Sequence, residues 1–477
     1  MNKCFLKCLV LCFFFQKIEC EGPIAHITNG YILGRESITP NGKSLFMFQG
    51  VPYAQPPLGN LRLADPQEHE NWNDVKDCTN RNIVCLQISK ETTEFETEDC
   101  LILNVYTPKF DVKESNLPVM VYFHGGGFYM GNTSYNSYGP EFFMDRDVVV
   151  VVVNYRLGAF GFLSTEDDVI TGNFGLKDQQ LAIKWVHKNI RAFNGDPEKV
   201  TIFGESAGSA SVGYQLLNKK NQGLFRGAIM SSGSPLGSWA FQRNPKKVAY
   251  LTAKFINNSE IINSSQELVR FLRSVPALDL KKASYNLKHT DPFGYRQWLD
   301  GYYYSPSVEY NTSNAFLVSH PYELLENGNF VHVPLITGIN SEEQLYMIED
   351  GDAFVNVLKS YDAHHELMVS AHLSIDDVEQ RKEVGKRIHG IYCDGNEKLE
   401  DHLNKGIRFF SDQKINFGIL RQAYFTANFA DVYLYQFSYH GLMGNNKHHV
   451  EGAGESRMLK TTIIFGDVTF LMQITLI

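Results

Sequence analysis

The chain has 477 residues, of which 43% fall in the set AVILMFWYC, 13% are aromatic and 20% are charged. That is enough apolar material for a large buried core, which excludes disordered and fibrous classes. The net charge is −9 with no Lys/Arg-rich block, which argues against a nucleic-acid or anionic-membrane partner and for a small molecule.

The first twenty residues read as a signal peptide. A basic start containing Lys3 is followed by an apolar run over 5–15 broken only by Lys7, and Ile18-Glu19-Cys20 offers a cleavage site. The run is too short for a comfortable membrane anchor, so no stable membrane insertion is expected. Four of the eight cysteines, Cys4, Cys8, Cys12 and Cys20, lie in this segment. Secretion implies an oxidising compartment, in which Cys85 and Cys100 can close a small loop and restrict the unfolded chain by about 3 kcal/mol. Cys78 and Cys393 have no assigned partner. Asn132, Asn257, Asn263 and Asn311 each open a glycosylation sequon.

The remainder has no internal repeat and no linker rich in Pro, Gly or Ser, so one domain is expected. Residues 117–123 (LPVMVYF) and 147–154 (DVVVVVVN) are short apolar runs suited to strands buried on both faces of a parallel or mixed sheet. Residues 179–190 (QQLAIKWVHKNI) are spaced as a helix, and 200–203 (VTIF) form a strand entering a glycine-flanked turn. Two later strands are read at 333–337 (VPLIT) and 431–437 (DVYLYQF). Strands alternating with helices predict an α/β fold with a mostly parallel central sheet flanked by helices.

Two glycine-rich turns carry the chemistry. Gly204-Glu205-Ser206-Ala207-Gly208 follows the strand at 200–203, the strand-turn-helix context that lifts a nucleophilic serine above a sheet edge. Ser206 is therefore the candidate nucleophile for an ester carbonyl. His124-Gly125-Gly126-Gly127-Phe128 follows the strand at 117–123. Attack on an ester places negative charge on the carbonyl oxygen, and preorganised backbone N–H groups stabilise it. The N–H groups of Gly126, Gly127 and Ala207 are assigned to that oxyanion hole.

With these motifs the chain resembles the type-B carboxylesterase and cholinesterase family of α/β-hydrolases. The resemblance also rests on Phe48 to Ala54 with Pro56-Pro57, Glu98 to Tyr106, Asn154 to Leu157, Gly172-Asn173 with Gly175 to Gln179, and Phe193 to Pro197, where Asn194 replaces the commoner glycine. It implies a disulfide between Cys85 and Cys100. Ser231 to Ser234 and Trp239 extend it, with Ser232 similar to the family's serine beside the triad and Glu205 supporting Ser206. The loop Gly338 to Glu343 resembles the family's acid loop and implies Glu343 as the acid, with Glu342 as its rival. Gln344 stands where glycine is usual.

The histidine departs from the pattern. In the family it follows the glycines of a G-x-x-H loop, and here Gly452-Ala453-Gly454 is followed by Glu455. A carboxylate lacks the N–H that Glu343 would hold and sits beside another negative charge. His449 and His448, six and seven residues earlier, are the candidate substitute bases, with His440 earlier still. Residues 455–477 show no resemblance to the strand and long helices that follow the histidine in the family. The expectation is an α/β-hydrolase domain over 21–454, C-terminally truncated relative to the family, and a divergent tail from an alternative exon, splice error or frameshift.

The implied activity is hydrolysis of small to medium apolar carboxylic esters through an acyl-enzyme, without metal or organic cofactor. The loop between Cys85 and Cys100 holds no tryptophan, so a choline-binding platform is missing. Glu205 stands where juvenile hormone esterases typically show glutamine. Phe128, Trp239 and Phe293 are the expected gorge aromatics. Two alternatives are a catalytically silent, secreted, cholinesterase-like interaction protein, favoured by Glu455, and an acylglycerol lipase. Oligomeric state is not implied.

Overall fold

The computed structural model describes residues 22–113, 116–290 and 299–438, and the backbone of 473–476. The expected signal peptide, Phe293, His440, His448, His449 and Glu455 lie outside these residues. A ten-stranded sheet organises the chain. In chain order its strands are β1 (Arg35–Ile38), β2 (Ser44–Pro52), β3 (Ile102–Thr107), β4 (Leu117–Phe123), β5 (Val149–Val153), β6 (Gly195–Glu205), β7 (Gly227–Ser231), β8 (Leu335–Asn340), β9 (Val432–Phe437) and β10 (Gln473–Leu476). Their order across the sheet is β10-β9-β8-β7-β6-β4-β5-β3-β2-β1. From β5 through β4, β6, β7 and β8 to β9 every pairing is parallel. The outer pairings are antiparallel.

The continuous apolar runs have a direct cause, because the central strands are covered on both faces. Val149, Val151 and Val153 point into the main core with Val119, Val121 and Phe123. Val150 and Val152 point the other way, toward Leu45, Met47, Tyr106 and Tyr122. Every residue of β5 is buried. A separate helical cluster built on Phe354, Leu358, Phe409 and Phe410 encloses Cys393, whereas Cys78 sits in the main core. Both are therefore buried free thiols. Cys85 and Cys100 are disulfide-bonded.

Element boundaries shift where burial outweighs periodicity. The helix expected from 179 begins earlier, as α1 (Phe174–Asn189). The polar stretch that interrupts its apolar spacing is buried and paired. Asp178 receives Arg156 at 2.7 Å, Lys177 meets Glu309 at 2.8 Å, and the Gln179 amide donates to Ser211 Oγ at 3.0 Å. Asn194, where glycine is commoner, adopts φ 63°, a conformation that asparagine tolerates better than most side chains. β6 extends back to Gly195 across a register shift opposite Leu117.

Among the sequon asparagines, Asn257, Asn263 and Asn311 are exposed and Asn132 is half-buried. No helix among the described residues is long and apolar enough to cross a membrane, and no cluster of His, Cys, Asp and Glu among them is arranged for a metal ion.

Candidate active site

The sheet register gathers the motifs at one edge. Gly204 pairs with Phe123, Glu205 with Ser231, and Ser231 with Gly338. The chain therefore leaves β4 into the His124 loop, β6 into Ser206, β7 into Ser232 and β8 into the acid loop, all at the carboxyl ends of parallel strands. That is where open α/β sheets form ligand crevices.

Ser206, the expected nucleophile, links β6 to helix α2 (Ala207–Leu217) with φ 56° and ψ −122°. Non-glycine residues rarely hold such a conformation, at a cost of about 1–3 kcal/mol that the surroundings must offset. The surroundings here are glycine. A Cβ on Gly204 would lie 2.4 Å from Gly208, one on Gly208 would lie 1.9 Å from the Phe123 carbonyl, and one on Gly233 would lie 2.1 Å from the Ser206 carbonyl. The Ser206 N–H donates to Ser231 at 2.9 Å, which locks the turn against the neighbouring strand.

The loop after β4 turns back on itself. The Tyr129 and Met130 N–H groups both donate to the Gly126 carbonyl, at 3.0 and 3.1 Å. Gly126 and Gly127 take φ 109° and 64°, and a Cβ on Gly126 would reach within 2.1 Å of Met130. The N–H groups of Gly126, Gly127 and Ala207 donate to no described group. Beneath the loop, His124 is buried and stacked on Tyr155 at 4.4 Å, and the Tyr155 hydroxyl donates to the His124 carbonyl at 2.7 Å. Burial pulls the His124 pKa down to about 4. The neutral ring donates from Nδ1 to the Gly125 carbonyl at 2.9 Å.

The two rival glutamates separate clearly. Glu343 Oε1 accepts the Asn340 N–H at 2.8 Å and Oε2 accepts the Asn340 amide at 3.1 Å. Ser232, itself at φ 59°, contributes a hydroxyl to the same carboxyl. Burial raises the Glu343 pKa, while the Asn340 and Ser232 hydrogen bonds and the charge of Lys414 partly counter it. Glu342 is equally buried but turns toward Arg408, 3.5 Å away on the helix Leu403–Ser411.

Ser206, Glu343, Glu205, Ser232, Gly126 and Gly127 border one cavity of about 600 Å³. Its walls include Trp239, Tyr129, Tyr302 and Tyr346, with Lys288, His289 and Lys414 among the polar groups. Trp239 lines the cavity as expected. Phe128 does not line it among the described residues: it is buried behind the loop, 5.0 Å from Phe162 and 5.9 Å from Trp239. The positive φ of 63° at Phe128 directs its ring inward, which residue type alone does not reveal.

Several lining groups were not singled out by the sequence. Lys414 Nζ donates to Gln344 Oε1 at 3.2 Å and to the Tyr346 hydroxyl at 2.9 Å. Burial opposes its charge, but the Tyr302 and Tyr346 oxygens more than compensate and its pKa rises. Lys288 lies 4.2 Å from the centre of the Tyr129 ring, and burial lowers its pKa. His289 is the one imidazole lining the cavity among the described residues, with Nδ1 2.7 Å from the Tyr285 carbonyl. Asn340 lay within the quoted acid loop, and its role could have been inferred from the short reach back from Glu343.

A strained serine between strand and helix at the edge of a mostly parallel sheet is the architecture of the α/β-hydrolases. The comparisons with known proteins place it within that class. The chain belongs to the carboxylesterase family, whose model matches residues 21–470. It is 35% identical over 437 residues to juvenile hormone esterase of Tribolium castaneum, covering 88% of this chain and 73% of that relative. Esterase E4 of Myzus persicae is 33% identical, covering 92% of this chain and 78% of that relative. A crystal structure of juvenile hormone esterase from Manduca sexta, with OTFP covalently attached, superposes with a TM-score of 0.80 at 29% identity. That match covers 92% of this chain and 83% of the other. The chain is accordingly a carboxylic ester hydrolase by family.

Proposed function

We propose that Ser206 is the nucleophile of this esterase, acting on small to medium apolar esters. The carrying observation is that Ser206, Glu343 and the two loop glycines border one aromatic-walled cavity of about 600 Å³. Ser206 Oγ bonds to the ester carbonyl carbon as a base takes its proton. The carbonyl oxygen becomes an oxyanion received by the N–H groups of Gly126, Gly127 and Ala207. Collapse breaks the bond to the alkoxy oxygen, which leaves with the proton as alcohol. Water then attacks the acyl-enzyme, releasing the carboxylic acid and restoring Ser206. Glu343 orients the base, and Ser232 and Asn340 orient Glu343.

The base is the condition on this scheme. Glu455 stands at the family's histidine slot, and His449 and His448 are the substitutes to test. The supporting frame is a chain secreted after removal of residues 1–20, with its hydrolase domain over 21–454, a divergent tail over 455–477, and glycans on the exposed Asn257, Asn263 and Asn311. The half-buried Asn132 is the weakest glycan acceptor.

Purified protein lacking residues 1–20 is assayed with p-nitrophenyl butyrate and labelled with a fluorophosphonate. Turnover and labelling that Ser206→Ala abolishes support the proposal, and His448→Ala and His449→Ala then locate the base. A folded protein with neither turnover nor labelling overturns it in favour of a silent interaction protein of the same fold, the reading that Glu455 favours.

A further inference from the structure

A second cavity of about 600 Å³ has a lining of its own. It lies between residues 241–243, the helix Pro321–Glu326, the turn at Ala371–Leu373 and the helix Phe417–Thr426. None of its lining residues borders the Ser206 cavity.

Its charge is unusual for an internal surface. Arg243 is largely enclosed, yet its guanidinium donates only to neutral acceptors among the described residues. These are the Phe241 and Asp300 carbonyls, both at 3.3 Å, and His372 Nδ1 at 2.7 Å. The guanidinium of Arg421, an exposed residue at the mouth, makes no hydrogen bond or ion pair with a described residue. It lies over Tyr322 and Phe417, 5.1 and 5.2 Å from the ring centres. Glu323 is the one carboxylate among the described lining residues. Ser374 and two imidazoles complete the polar surface, and none of them adds charge. Burial, followed by Arg243, His320 and Arg421, holds the His372 pKa down to about 3, and burial with Arg243 also lowers that of His320.

The Asp300 charge acts on Arg243 from nearby, but no described carboxylate accepts from its guanidinium, and an enclosed cation without a hydrogen-bonded anion is costly. A guanidinium held by flanking contacts keeps N–H edges in a fork suited to a carboxylate. The rest of the wall is apolar: Leu236 and Phe241 are buried, and the Tyr322 and Phe417 rings flank the entrance. This combination selects an anion with a hydrocarbon body over a bare inorganic ion.

We propose that this cavity is an accessory binding site for an organic carboxylate with an apolar body, its headgroup held between Arg243 and Arg421. The proposal is independent of the assignment of Ser206.

Isothermal titration calorimetry of the intact mature protein with octanoate tests it. Saturable binding is expected, weakened at least tenfold by Arg421→Gln and also by Arg243→Gln. Octan-1-ol and inorganic phosphate are each expected to bind at least tenfold more weakly than octanoate. Any octanoate that enters the Ser206 cavity appears as a component that Arg421→Gln leaves in place. Absence of saturable octanoate binding overturns the site, as does binding wholly indifferent to Arg421→Gln. Phosphate binding as tight as octanoate overturns the organic carboxylate and leaves a plain anion site. A thermal melt checks folding of Arg243→Gln, and Arg421→Gln, altering an exposed side chain, decides the question if the former does not fold.

Discussion

The cavity beneath Ser206 and the cavity between Arg243 and Arg421 have the same volume, about 600 Å³, and are built on different principles. The first is assembled largely by backbone: four parallel strands end together and glycines admit close approach. Its charged lining is balanced, with Glu205 and Glu343 facing Lys288 and Lys414. The second is assembled by side chains from distant segments and carries two guanidiniums against one carboxylate. Backbone placement tolerates almost no added atom, whereas side-chain placement allows graded change. The two regions therefore respond differently to substitution.

The largest effect is expected in the first region. Ser206→Ala removes the proposed nucleophile and lowers kcat by about 10⁶-fold where the wild type turns over p-nitrophenyl butyrate, by analogy with subtilisin. Glu343→Gln lowers kcat by about 10⁴-fold, the scale seen when a triad acid is neutralised. Glu342→Gln, facing Arg408, leaves kcat near the wild-type value, and a loss as large as that of Glu343→Gln would exchange the two roles.

Gly126→Ala comes next. Its Cβ would meet Met130 at 2.1 Å, so the loop must shift and displace the proposed oxyanion N–H, and loss of one such donor costs about 10²–10³ in kcat. Unchanged turnover in a folded Gly126→Ala protein would break the claim that backbone builds this region. A smaller, graded effect is expected in the second region, where Arg421→Gln weakens octanoate at least tenfold without altering the melting temperature.

The smallest effect concerns pH and stability. The His372 pKa is held at about 3 in the folded protein against about 6.5 unfolded. Between those values the unfolded chain binds more protons, so the stabilisation is complete above about pH 6.5 and is lost as pH falls toward 3. Urea midpoints measured at about pH 7.5 and about pH 5 are expected to fall with acidity, and less steeply in His372→Gln. Equal slopes would show that His372 is not neutral in the fold.

How much of this was legible in the sequence follows from how each part is held. The strand runs at 117–123 and 200–203 and both glycine turns could be read locally, because burial on two faces and positive-φ geometry constrain residue type at each position. The start of α1 was misjudged by five residues, because Lys177 and Asp178 break the apolar period and only their partners Glu309 and Arg156 explain their burial. Phe128 was assigned to the gorge and lies behind it, since the turn, not the residue type, aims the ring.

The sequence by itself determined the α/β class, the serine turn and the glycine loop, set by short-range spacing, while the family and the Cys85–Cys100 pairing came from its resemblance to known esterases. Only the tertiary structure gave these adjacent carboxylates different surroundings, Glu343 against Asn340 and Glu342 beside Arg408. It alone brought Lys414, Tyr302 and Tyr346 around one cavity and Arg243, Arg421, His320 and His372 around another. Such gatherings depend on how distant helices pack, and no local pattern in the chain encodes them.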